Sequence, residues 1–122
     1  MDSPSEPVID VEATTLSNND YRWVYQTSAQ LQYVFMSLKP GQKIPAEVHP
    51  WTTQFIRIEQ GQAQVTIGDE QYSASKTDSV FIPAGTRHEI KNVGKVDLKL
   101  YTLYAPPVHA PGLIQTHQPL KD

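Results

Sequence analysis

Residues 46–61 read AEVHPWTTQFIRIEQG. Side chains of an extended chain alternate between faces, so Gln54, Ile56 and Ile58 share one side and Phe55, Arg57 and Glu59 the other. That is the pattern of a strand half-buried against a core, and Gly61 closes it as a turn residue. Upstream, Glu47 and His49 stand two apart, so a strand would project both to one side, and Pro50-Trp51 bends the chain between the two segments. A carboxylate, an imidazole and a carboxamide thus crowd one corner of a β-rich stretch.

The same texture repeats outward. LQYVFMSL (31–38), QAQVTIG (62–68), SVFIP (79–83), RHEIKNV (87–93) and LKLYTLYA (98–105) are short runs rich in β-branched and aromatic residues. Turn signals separate them, among them Lys39-Pro40-Gly41, Gly68-Asp69-Glu70, Pro83-Ala84-Gly85 and Val93-Gly94-Lys95. No helical stripe competes with them, so the expected fold is all-β, an antiparallel sandwich or barrel. A chain of 122 residues builds one core. The expected organisation is a flexible, acidic N-terminal arm over 1–19, ordered if at all against a partner subunit, a barrel over 20–105, and a Pro-rich tail over 106–122 laid across it.

Composition excludes several classes. Ten Lys and Arg against thirteen Asp and Glu give a net charge of −3 with no basic stripe, which argues against nucleic acid and anionic membrane as partners. The absence of cysteine removes disulfides, thiolate metal sites and cysteine nucleophiles. No apolar run approaches the ~20 residues of a membrane helix. The opening MDSPSEPVID lacks the cationic start and apolar core of a secretory signal, so a cytoplasmic location is expected.

A fourth polar group joins the first three in PAGTRHEIKN (83–92), where the Pro83 to Gly85 turn leads into a strand with His88, Ile90 and Asn92 on one face. Two nitrogens and two oxygens, from Glu47, His49, Gln54 and His88, then face one interior. Imidazole and carboxylate suit first-row divalent ions, and four protein donors leave room for water or substrate.

The spacing resembles a known family. Gly41, five residues, Glu47, one, His49, four, Gln54, six, Gly61 resembles the first cupin motif, whose usual donors are His, His and Glu. Thr77, five residues, Pro83-Ala84-Gly85, two, His88, three, Asn92 resembles the second, with Thr77 in place of the family's usual glycine. The resemblance runs from about 30 to 104. Stretches such as MSLKPG, FIPAGT and LKLYTLYAPPVH look like small single-domain cupins of the mannose-6-phosphate isomerase-like subgroup. It implies an antiparallel double-stranded β-helix, the RmlC-like jelly-roll barrel, with one metal near its mouth, commonly as a homodimer.

Against the usual three imidazoles and a carboxylate, this chain offers two imidazoles, a carboxylate and an amide oxygen. Formal charge is unchanged and the donors are harder, which favours manganese, iron or nickel, with zinc also open. Tyr104 and His109 are the candidate catalytic groups, a phenol near the barrel mouth and an imidazole on the tail. Three readings follow: isomerase- or lyase-type chemistry on a small sugar or hydroxy acid, non-catalytic capture of a metabolite, or a metal-dependent dioxygenase. Mannose 6-phosphate itself is disfavoured, since the inferred inward faces carry no cluster of Arg and Lys for a phosphate dianion.

Overall fold

A computed structural model describes residues 6–120. Among them, ten strands form two antiparallel sheets. They are β1 (Arg22–Thr27), β2 (Gln32–Leu38), β3 (Lys43–Glu47), β4 (Thr53–Gln60), β5 (Gln62–Ile67), β6 (Glu70–Ser75), β7 (Ser79–Ile82), β8 (His88–Asn92), β9 (Leu98–Ala105) and β10 (Ile114–Gln115). One sheet has the order β10-β1-β2-β9-β4-β7 and the other β3-β8-β5-β6. The expected jelly-roll barrel is what the chain builds.

The alternation read from residues 53–59 holds in space. Ile56 and Ile58 are fully buried in a core shared with Val34, Met36, Leu38 and Leu100. Burying each such side chain contributes roughly 1.5–3 kcal/mol. Phe55 and Arg57 face outward, where Phe55 pairs across the sheet with Leu103 and Phe81.

The outer face of the larger sheet also carries Trp23, Tyr25, Tyr33, Phe35 and Tyr101 as one network of edge and tilted ring contacts, with centroids 5.0–6.0 Å apart. Phe35 and Tyr25 are buried within the chain itself. Burial, then the neighbouring Tyr101, Tyr25 and Glu59, push the Tyr33 phenol up to about 12.

Three local features depart from the expectations. First, residues 11–17 of the expected flexible arm form a helix, α1 (Val11–Ser17), against β9 and β4. Asp10 caps it by accepting from the Ala13 amide, Thr15 is buried, and Lys99 donates to the Asn18 carbonyl and to Asn19 Oδ1 at its C-terminal end. Residues 1–5 of that arm and 121–122 of the tail lie outside the described residues. Second, EQYSAS, which offers no alternation, pairs with β5 as the edge strand β6. Third, part of the tail, Ile114–Gln115, adds to the edge of β1.

Thr77, at the motif position usually held by glycine, takes φ +75° in the link from β6 to β7. A β-branched residue in that region is strained by roughly 1–2 kcal/mol. Among the described residues no helix is long and apolar enough to cross a membrane.

Candidate metal centre

One end of the barrel collects the chemistry. β3 ends there with Glu47, β8 begins with His88, β4 begins beside Gln54, β9 ends beside Tyr104 and β2 begins with Gln32.

Glu47 reaches the interior through a register shift. Ile44 pairs with Ile90 and both are in the core, so strict alternation along β3 would turn Glu47 outward. A shift between Ile44 and Glu47 resets the face, and Glu47 sits directly opposite His88. Pro45 lies within the shifted segment of an edge strand, where its missing N–H takes no ladder bond.

His49 lies beyond β3, not on it as the sequence suggested. Its ring converges all the same, because the Gly85 amide donates to the His49 carbonyl and ties this loop to the turn before β8. Gly85 manages that with φ +80°.

The resulting cluster is tight. Ligand atoms of Glu47, His49 and His88 all lie within 4.8 Å of one another. His49 Nε2 is 3.2 Å and His88 Nε2 3.6 Å from Glu47 Oε1. Donors about 2.1 Å from a shared ion stand ~3–3.5 Å apart, so these separations fit a common divalent metal.

The His88 tautomer is set by its surroundings: Nδ1 stands 3.0 Å from the Thr86 carbonyl, which can only accept, so Nδ1 carries the proton. Nε2 is left as a lone pair, buried and without a hydrogen-bond partner. Burial raises the Glu47 carboxyl, but the hydrogen bond with His49, the approach of His88 and the charge that either ring carries when protonated outweigh it and hold the group down at about 2.

Gln54 is buried on the inner face of β4. Its Nε2 donates to Thr102 Oγ1 at 3.0 Å, which turns Oε1 away from Thr102, and that oxygen has no hydrogen-bond partner. A buried carbonyl oxygen left in that state is costly unless something else engages it.

Tyr104 is buried between Gln32 and Gln54 in the cross-strand register, and its ring meets that of His49 edge-on at 5.7 Å. His109 follows, edge-on to Tyr104 at 5.2 Å. The sequence placed Tyr104 near the mouth and His109 on the tail, and the structure sets Tyr104 against the cluster's His49 and His109 behind Tyr104. Thr102 and Thr86 are supporting groups that the sequence reading passed over. Thr102 was visible as the polar member of an inward face shared with Leu100 and Tyr104, whereas the Thr86 carbonyl leaves no side-chain signal. Asn92 closes a local turn by accepting from the Gly94 amide.

Residues 34–104 match the model of the cupin domain. The chain is a cupin. It is 44% identical over 116 residues to an uncharacterized protein of Acanthamoeba polyphaga mimivirus, covering 92% of this chain and 72% of that one. It is 37% identical over 117 residues to YrkC of Bacillus subtilis, covering 91% of this chain and 63% of that protein. A crystal structure of a Bacillus halodurans protein, BH2720, superposes with a TM-score of 0.89 at 35% identity, covering 92% of this cupin and 90% of its own chain. This cupin therefore spans 72% of one curated relative, under two thirds of the other, and most of the solved one. Its Glu47, His49 and His88 form a cluster compatible with a metal ion.

Proposed function

We propose that this cupin is a metal-dependent protein acting on a small oxygenated metabolite, a sugar or hydroxy acid, by isomerase- or lyase-type chemistry. Glu47, His49, Gln54 and His88 would hold the ion. The observation that carries the reading is the buried, unpartnered His88 Nε2 beside a carboxylate whose pKa is held down at about 2, with a second buried, unpartnered donor atom, Gln54 Oε1, at the same end of the barrel.

The ion, when bound, supplies Lewis acidity toward a substrate oxygen. The chain supplies the rest. Thr86 keeps the His88 lone pair inward and Thr102 keeps the Gln54 amide oxygen turned away from itself. Tyr104 and His109 are the groups we assign to contact substrate and to hold or move a proton beside it, given that Tyr104 lies against His49 and His109 against Tyr104.

The resemblance to the mannose-6-phosphate isomerase-like subgroup does not extend, in this reading, to a phosphorylated substrate. The buried cations are engaged elsewhere: Lys99 with Asn18 and Asn19, and Arg22 with Gln115 and the face of Tyr21. Manganese, iron, nickel and zinc all remain chemically suited to the donor set.

The test loads the wild-type protein separately with each of these four metals and screens it against hydroxy acids, uronates, sugar phosphates and diketones. Turnover with at least one metal is expected. Gln54→Glu adds negative charge at the centre, so it should retain metal while turnover falls roughly 10-fold or more. No turnover with any metal, together with a co-purifying metabolite seen by mass spectrometry, replaces the enzyme with a metabolite-binding cupin. Turnover that requires dioxygen replaces it with a dioxygenase.

A homodimer through the outer face of the larger sheet belongs to the same reading, supported by Phe81, which is 66% exposed beside Phe55 and Leu103. Phe35, on the same outer face, is already buried in the chain. Light scattering at micromolar concentration should give the mass of two chains, and one chain per particle removes the dimer.

A further inference from the structure

Gln32 is fully buried at the start of β2, on the inner face, beside Tyr104 in register. Its amide makes four hydrogen bonds. Oε1 accepts from the Val108 amide at 3.1 Å and the His109 amide at 2.9 Å, while Nε2 donates to the His109 carbonyl at 2.7 Å and to Thr27 Oγ1 at 3.1 Å. The side chain thus pairs with both backbone groups of His109 as a neighbouring strand would, in a stretch that belongs to no strand. An apolar residue would fill the space, but only a fully bonded amide specifies where the His109 backbone must lie.

The loop is fastened on either side of that point. Thr52 Oγ1 donates to the Pro106 carbonyl at 2.8 Å, and the Val24 amide donates to the Leu113 carbonyl at 2.8 Å. Between these fixings, the His109 ring completes a line of rings: His88 to His49 at 5.4 Å, His49 to Tyr104 at 5.7 Å and Tyr104 to His109 at 5.2 Å.

We propose that Gln32 is a positioning residue: it makes the 106–113 loop a fixed wall of the barrel mouth and holds the His109 imidazole where a substrate engaged at the cluster presents its far end. The substrate class this selects carries a second polar group, a hydroxyl or carboxylate remote from the chelating oxygens, within reach of an imidazole. The assignment of what the wall faces rests on the metal-centred reading above; the grip of Gln32 on His109 does not.

The experiment therefore has a metal-free arm and a manganese arm, with histidine-ring-labelled protein and Gln32→Met, which keeps side-chain length and removes the amide. In metal-free wild type, the Val108 and His109 amides should exchange at least ~10-fold more slowly than that of Ala110. In Gln32→Met that protection should vanish and the His109 ring signals should move toward those of exposed His117, while His49 and His88 signals stay. Unprotected amides in the wild type overturn the grip even if Gln32→Met fails to fold. Unchanged His109 signals, or equal movement of His49 and His88, show that Gln32 is not a specific positioner.

In the second arm, manganese titrated into the wild type should broaden the His109 ring signals through its unpaired electrons, and less so in Gln32→Met at the same metal occupancy. Equal broadening in both overturns the proposal. A wild type that binds none of manganese, iron, nickel and zinc fells the metal reading, and the metal-free arm alone then decides the grip.

Discussion

His88→Ala should emerge from mild purification with less than about one tenth of the metal carried by the wild type, as measured by elemental analysis. Losing an outer partner of a ligand typically weakens a metal site ~10–100-fold, so losing a ligand should exceed ~100-fold. His88 is the donor whose loss matters most: it is 2% exposed, its tautomer is fixed by Thr86, and its Nε2 has no competing hydrogen bond. His49→Ala should follow it. His117→Ala, a change at an exposed ring of the tail, should retain metal at the wild-type level. Near-complete retention by both His88→Ala and His49→Ala would remove these residues from the centre.

Asn92→Ala should destabilise the fold by roughly 3 kcal/mol in urea unfolding, with an unchanged dependence on denaturant. Asn92 is fully buried, and its amide nitrogen donates to the Leu38 and Val96 carbonyls while its oxygen accepts from the Gly94 amide. Three backbone groups lose their partner at once, each at about 1–3 kcal/mol, partly offset where water reaches Val96 and Gly94. Asn92→Asp keeps the shape and the acceptor but loses both donations, so it should fall well below the wild type as well. A loss under about 1 kcal/mol in both variants would show that Asn92 is not the joint its bonds describe.

What was legible in the sequence was whatever writes itself in alternation or in fixed spacing. Ile56 and Ile58, and Glu47, Gln54 and His88 as neighbours of one interior, followed from period two and two turns. The rest depended on geometry that side-chain patterns do not record. Strict alternation from Ile44 would have turned Glu47 outward, and only the register shift reverses it. Helix α1 is seven residues long and has a single capping aspartate as its signal, too short for an apolar stripe to show. β6 is mostly exposed, so its residues carry no apolar face to read. The role of Gln32 leaves no sequence pattern, because its main partners are backbone atoms of a loop about 76 residues away.

The two sheets have a mechanical consequence for the site. No ladder of hydrogen bonds joins β6 to β7, and an open cleft of about 450 Å³ lies between these edges, lined by Val65, Ala74, Val80 and Phe81. Glu47 and His88 ride on the smaller sheet, while Gln54, Tyr104 and Gln32 ride on the larger. Relative sliding of the sheets would thus leave the Glu47–His88 pair intact, paired across neighbouring strands as it is, and change its distance to Gln54. The carboxylate and His88 move with one sheet, and the place of the Gln54 amide relative to them is set by the core packing and by links such as the Asn92 to Leu38 hydrogen bond between the sheets.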